Sequence, residues 1–127
     1  MTAAATDLEH EVLACFTAYE QALSAGDLAA MDAWFADDTR TVRFGIADEQ
    51  RGAEEVRRWR GAAPRVPAGR RLSKTRVDLW TEDLAVVTTL FRYPSAVSVG
   101  RQTQTWLRTD AGWRIIHAHV STRSAAP

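Results

Sequence analysis

A chain of 127 residues has room for one domain and one sizeable core, and 46% hydrophobic content with five tryptophans suits a packed globular protein. Sixteen basic and sixteen acidic residues give a formal net charge of zero, which removes the electrostatic case for nucleic acid or an anionic membrane as a partner. No apolar run nears the roughly 18 residues of a membrane span. The opening MTAAATDLEHE also lacks a basic start followed by an apolar stretch, so a soluble, cytoplasmic protein is expected.

The spacing predicts a first helix over about Asp7 to Ala25. Thr6 followed three residues later by Glu9 forms a capping-box pattern, and Leu8, Val12, Cys15, Phe16, Tyr19 and Leu23 recur at helical spacing. Cys15 is the sole cysteine, so it forms no internal disulfide, and its place on the apolar stripe predicts a buried, inert thiol. Gly26 is placed to end this helix and Asp27 to cap a second, which carries Leu28, Met31, Trp34 and Phe35 inward. TVRFG reads as a short strand. GAEEVRRWRGAA offers a third helix with Val56 and Trp59 three apart, closed by Pro64, Pro67 and Gly69 into a surface loop. The arginines of RRWR, with Arg65, Arg70 and Arg71, make a local basic patch, either a solvated face or a funnel for anions.

From Arg70 onward the period becomes two. RRLSKTRVDLW, LAVVTTLFRY, GRQTQTWLRT and GWRIIHAHVST are separated by short turns such as TED and TDAG, and strands joined so tightly run antiparallel. Helices first and an antiparallel meander afterwards is an α+β plan, with the helices covering one face of a curved sheet. Only the last residues, 123–127, read as a disordered tail.

Two residues carry the candidate chemistry. In TVRFG, Arg43 lies on the face opposite Val42 and Phe44; if those two pack into the core layer, Arg43 points either to solvent or into a hollow. Tyr19 sits on the buried stripe of the first helix, so its hydroxyl needs an interior partner, either a backbone carbonyl or a ligand. A guanidinium fork and a phenol in one cavity would make a carboxylate site.

The segments YEQAL, TVRFG, GRQTQTWLR and GWRIIHAHVS together resemble the AtzH-like branch of the NTF2-like or SnoaL-type superfamily, which includes the HpxZ-type proteins of oxalurate catabolism. The resemblance runs from about Leu8 to Thr122 and implies a single NTF2-like (cystatin-like) domain over 1–127. Its fold would be a cone: a long N-terminal helix and two short helices packed on a strongly curved antiparallel sheet. It also implies an open pocket, a homodimer through the convex sheet face, no cofactor and a role in degrading small ureido acids. The branch's presumed active-site Tyr and Arg carry over onto Tyr19 and Arg43, which points Arg43 into the hollow. In cones of this type the residue two before the strand Trp tends to line the pocket, which suggests Gln104 and then Gln102. Arg92 is a further candidate cation, with a cross-strand surface pair as its alternative, and Trp34 completes the expected substrate-binding set.

In the last strand, Ile116, Ala118 and Val120 suit the concave face, which sends Ile115, His117 and His119 outward. Trp113, Ile115, His117 and His119 would then form part of an exposed convex surface that a dimer covers. Two histidines at i and i+2 could reach one metal ion, yet no third ligand has suitable spacing, so no metal is expected. The motifs GxSxG, GxxxxGK[ST] and GxGxxG are absent, which leaves serine-nucleophile hydrolysis and nucleotide phosphate chemistry without support. Two functions remain: a cofactor-free enzyme acting on a carboxylated urea or ureido acid, by decarboxylation or hydrolytic cleavage, and a non-catalytic protein that binds a small carboxylate.

Overall fold

Residues 3–125 are described by a computed structural model. Helix α1 spans Ala3–Ala25, a turn earlier than the Thr6 pattern predicts, because the preceding alanines are the best helix formers and extend it. Gly26, at φ 70°, ends it as expected: the Asp27 N–H returns to Ala22 O at 3.0 Å. Asp27 caps α2 (Leu28–Trp34) through a bond from the Ala30 N–H to its carboxylate at 3.1 Å.

Two short strands follow, β1 (Val42–Phe44) and β2 (Glu49–Arg51), then α3 (Ala53–Ala62). The second of these strands has no sequence signature, since Gln50 alone is buried between two exposed charged residues. The meander is β3 (Arg71–Thr81), β4 (Leu84–Arg92), β5 (Ser98–Thr109) and β6 (Gly112–Ser124). All six strands form one sheet in the order β2-β1-β6-β5-β4-β3. It is mixed rather than wholly antiparallel, because β1 runs parallel to β6. The α+β cone stands, with three helices on one sheet. Part of the expected tail belongs to β6, which continues through Ser124, and the Ala125 N–H bonds Val97 O at 3.0 Å; positions 126–127 of that tail lie outside the described residues.

One irregularity in β6 overturns part of the predicted alternation. Trp106 pairs with Ile115 while Thr105 pairs with His117, so Ile116 is an extra residue at a bulge. The bulge shifts the inward set by one: Trp113 and Ile115 are buried before it, Ala118 after it. Trp113 and Ile115 therefore belong to the core under α1, with Val12, Phe16, Val87 and Trp106, and not to the convex surface. His117 and His119 do face outward, edge-on to Phe44 at 5.9 and 5.6 Å between ring centroids.

Candidate functional site

The concave side of the sheet leaves a cavity of about 600 Å³ between α1, α3, the 62–67 segment and the strands. Leu23, Phe35, Val66, Phe91 and Val120 supply apolar lining, and four arginines, Arg43, Arg60, Arg65 and Arg70, share it with one lining carboxylate, Asp48. Such a pocket of apolar walls with a few convergent polar groups is the usual form of a small-ligand site.

Arg43 enters it from β1, whose neighbours Val42 and Phe44 take the other face. Phe44 packs on the outward histidines rather than on the core, so it is the core side of the sheet that receives the arginine. The guanidinium carbon lies over the Trp59 ring, 3.6 Å from its centroid, and Nη1 donates to Asp48 Oδ1 at 2.6 Å and Gln50 Oε1 at 3.0 Å. Gln50 Nε2 in turn donates to the same Asp48 oxygen at 2.9 Å. Burial pushes the Arg43 pKa below its ordinary value, opposed by Asp48 and reinforced by the Arg60 charge. The glycine of TVRFG now has a reason: a Cβ on Gly45 would stand 2.5 Å from Asp48 Oδ1 and 2.7 Å from Arg43 Nη1, so any larger residue would displace the pair from its present place.

A second polar cluster forms another part of the wall. Arg70 donates to Glu20 through Nε at 2.8 Å and Nη2 at 3.3 Å, to Tyr93 Oη at 3.0 Å and to Gln102 Oε1 at 3.1 Å. Gln102 Nε2 donates to Glu20 Oε2 at 3.0 Å, which closes the network. Burial works against the Arg70 charge, yet the hydrogen bonds and charge of Glu20 outweigh it and hold the pKa above the ordinary value. The Arg70 guanidinium carbon also lies 4.1 Å from the centroid of the Phe91 ring, which covers its cross-strand partner Gly100 so closely that a Cβ there would overlap the ring. The glycine that opens GRQTQTW is thus the floor for that aromatic ring.

Tyr19 reaches the cavity from α1, buried and edge-on to Phe35 at 5.9 Å, and among the described residues its hydroxyl has no protein partner. Gln104 is fully buried, lines the cavity and accepts from Trp106 Nε1 at 3.1 Å. Four of the predicted residues, Tyr19, Arg43, Gln102 and Gln104, therefore meet in one place. Two do not. Arg92 follows Ala85, Val87, Thr89 and Phe91, the buried set of β4, and so falls on the opposite face, exposed. Trp34 stands off the cavity, edge-on to Trp106 at 5.8 Å with Arg114 over its ring at 5.4 Å.

Sequence reasoning missed Glu20 and Asp48, and it read Arg60 and Arg70 only as part of a basic patch, not as site residues. Glu20 follows Tyr19 directly, and a helix face broad enough to bury both was the available signal. Asp48 and Arg70 lie in loops, where periodicity carries no information.

A family model matches residues 2–126, nearly the whole chain, and its description is AtzH-like. The chain belongs to the AtzH-like family. None of the curated proteins matches its sequence. Among solved structures, this AtzH-like chain is similar to a cystatin-like fold protein from Burkholderia xenovorans, with 41% identity, 94% of this chain and 95% of that one covered, and a TM-score of 0.91. It is also similar to a protein of unknown function from the DUF3225 family of Pectobacterium atrosepticum, with 40% identity, coverage of 93% and 92%, and a TM-score of 0.89. A putative ketosteroid isomerase from Parabacteroides distasonis shares the fold at 20% identity, coverage of 87% and 86%, and a TM-score of 0.71. No helix among the described residues is long and apolar enough to cross a membrane.

Proposed function

We propose that this AtzH-like chain is a cofactor-free enzyme acting on a small N-carboxylated urea or related ureido acid in the degradation of nitrogen compounds. The observation that carries this reading is the pairing of two unfinished donors in one cavity. The Tyr19 hydroxyl has no protein partner among the described residues, and the protein hydrogen bonds of Arg43 all leave from Nη1, which keeps Nε and Nη2 for a ligand. Trp59 and Asp48 hold the guanidinium plane in place, so its fork is set before a carboxylate arrives. Tyr19 delivers a proton to the nitrogen as its bond to the carboxylate carbon breaks and CO2 departs; water then restores the phenol.

Arg43→Lys keeps a charge without the fork, and Arg43→Met removes both. Affinity for a ureido acid is expected to fall by about 1.5 to 3 kcal/mol in Arg43→Met, the range for a hydrogen bond to a charged group, and by less in Arg43→Lys. Titration calorimetry measures it, and unchanged affinity in Arg43→Met would move the site elsewhere.

The convex face is proposed to be covered by a second copy of the chain. Phe44, Val86, Leu90 and Leu107 are only half-buried there, together with the outward pair His117 and His119. Light scattering at micromolar concentration is expected to give a dimer mass; a monomer mass would contradict it.

A further inference from the structure

The charges on the cavity wall do not balance. Arg43 is paired with Asp48 at 2.6 Å, Arg60 with Asp32 at 2.7 Å and Arg70 with Glu20 at 2.8 Å. The fourth lining arginine, Arg65, forms no ion pair among the described residues. Its Nη2 donates to the Ser24 carbonyl oxygen in the last turn of α1 at 2.9 Å. A helix C-terminus offers a cation the end of a dipole and not a full opposite charge, so the wall keeps one positive charge in excess.

That excess is what a bound anion lacks elsewhere. A carboxylate arriving at Arg43 finds the guanidinium charge already matched by Asp48. Two carboxylates on one guanidinium carry a net negative charge into a cavity with largely apolar walls, which is costly unless another cation answers it. Arg60 and Arg70 are each matched by a carboxylate, and Arg70 has all three nitrogens engaged. Arg65 remains. It stands on the segment after α3 that borders the cavity, exposed, and its side chain passes Gly26. A Cβ on that left-handed glycine would stand 3.0 Å from both Cδ and Nε of Arg65, so the residue that ends α1 also leaves the arginine its path.

We propose that Arg65 is the counter-charge for a carboxylate ligand, and that this residue makes the cavity prefer anions to neutral molecules of the same shape. It acts on the ligand through its charge, while the bond to Ser24 keeps the guanidinium at the cavity wall. This rests on the carboxylate reading of the cavity, and the probes separate the two. N-Carbamoylglycine and its neutral amide, N-carbamoylglycinamide, share the ureido group and the carbon skeleton, and only the first carries the charge.

Titration calorimetry on the full chain is expected to show wild type binding the acid more tightly than the amide. Arg65→Gln keeps a donor for Ser24 and loses the charge, and it is expected to weaken acid binding by about fivefold, the upper end for an exposed ion pair, with amide binding changed by less than about twofold. Arg65→Lys keeps the charge and is expected to hold acid binding within about twofold of wild type. Raising ionic strength from about 20 mM to about 500 mM is expected to weaken acid binding more in wild type than in Arg65→Gln, because salt screens an exposed charge. An acid preference in Arg65→Gln equal to that of wild type would overturn the assignment and leave Arg43 to hold the carboxylate alone. A loss in Arg65→Lys as large as in Arg65→Gln would overturn it as well, since the strap contact and not the charge would then be at work. Equal binding of acid and amide by wild type, or binding of neither, would bring down the carboxylate reading of the cavity with it.

Discussion

Tyr19→Phe is expected to lower turnover of a ureido acid by about 10²-fold, the usual scale for one acid-base group, while leaving ligand affinity and folding nearly unchanged. The reasoning begins with packing. The ring of Tyr19 is buried against Phe35, and phenylalanine keeps that edge-on contact and its volume. The hydroxyl bonds no protein group among the described residues, so deleting it leaves no buried protein donor or acceptor stranded. What is lost is a proton donor that matters only while a bond to nitrogen breaks, and an interaction confined to the transition state appears in kcat rather than in binding. Steady-state kinetics beside calorimetry reads both halves. Normal turnover in Tyr19→Phe would strip the residue of its catalytic role.

Removing Glu20 is the substitution expected to cost most stability. Glu20 and Arg70 have side chains 10% and 5% exposed, and Glu20 also accepts from Gln102, so the carboxylate organises one wall of the cavity. Glu20→Ala leaves the Arg70 charge buried among Phe91, Tyr93 and Gln102 with its counter-ion gone, a loss of about 3 to 5 kcal/mol. Urea denaturation midpoints measure it. The double variant Glu20→Leu with Arg70→Met is expected to recover most of that loss, because two apolar side chains of similar volume leave no charge unpaired. A loss below about 1 kcal/mol in Glu20→Ala would mean that the pair behaves as a surface salt bridge.

How far the sequence discloses this fold depends on the element. Helix α1 and its stop are legible because apolar spacing and the Gly26-Asp27 corner act locally, and the meander is legible because its turns are short. The parallel pairing of β1 with β6 is not, since it joins residues 75 positions apart, Val42 with His117, with no turn to announce it. The fate of Trp113 and Ile115 turns on one extra residue at Ile116, and strict alternation cannot see a bulge. Of the site, period two puts Gln102 and Gln104 on one strand face with Trp106, while the family resemblance turns that face, and Arg43, into the hollow. Arg70 and Asp48 became visible only when loops folded back over the cavity, and Arg60 reads on paper as one more charge in a basic helix.

The measurement that bears most directly on the central claim follows an N-carboxylated urea by 13C NMR, with and without the purified protein, against the spontaneous rate of CO2 loss. Saturable acceleration by wild type that falls about 10²-fold in Tyr19→Phe is the predicted result. A wild-type protein that binds the compound and leaves its spontaneous rate unchanged would contradict it, and would make the cavity a carboxylate-binding site without chemistry.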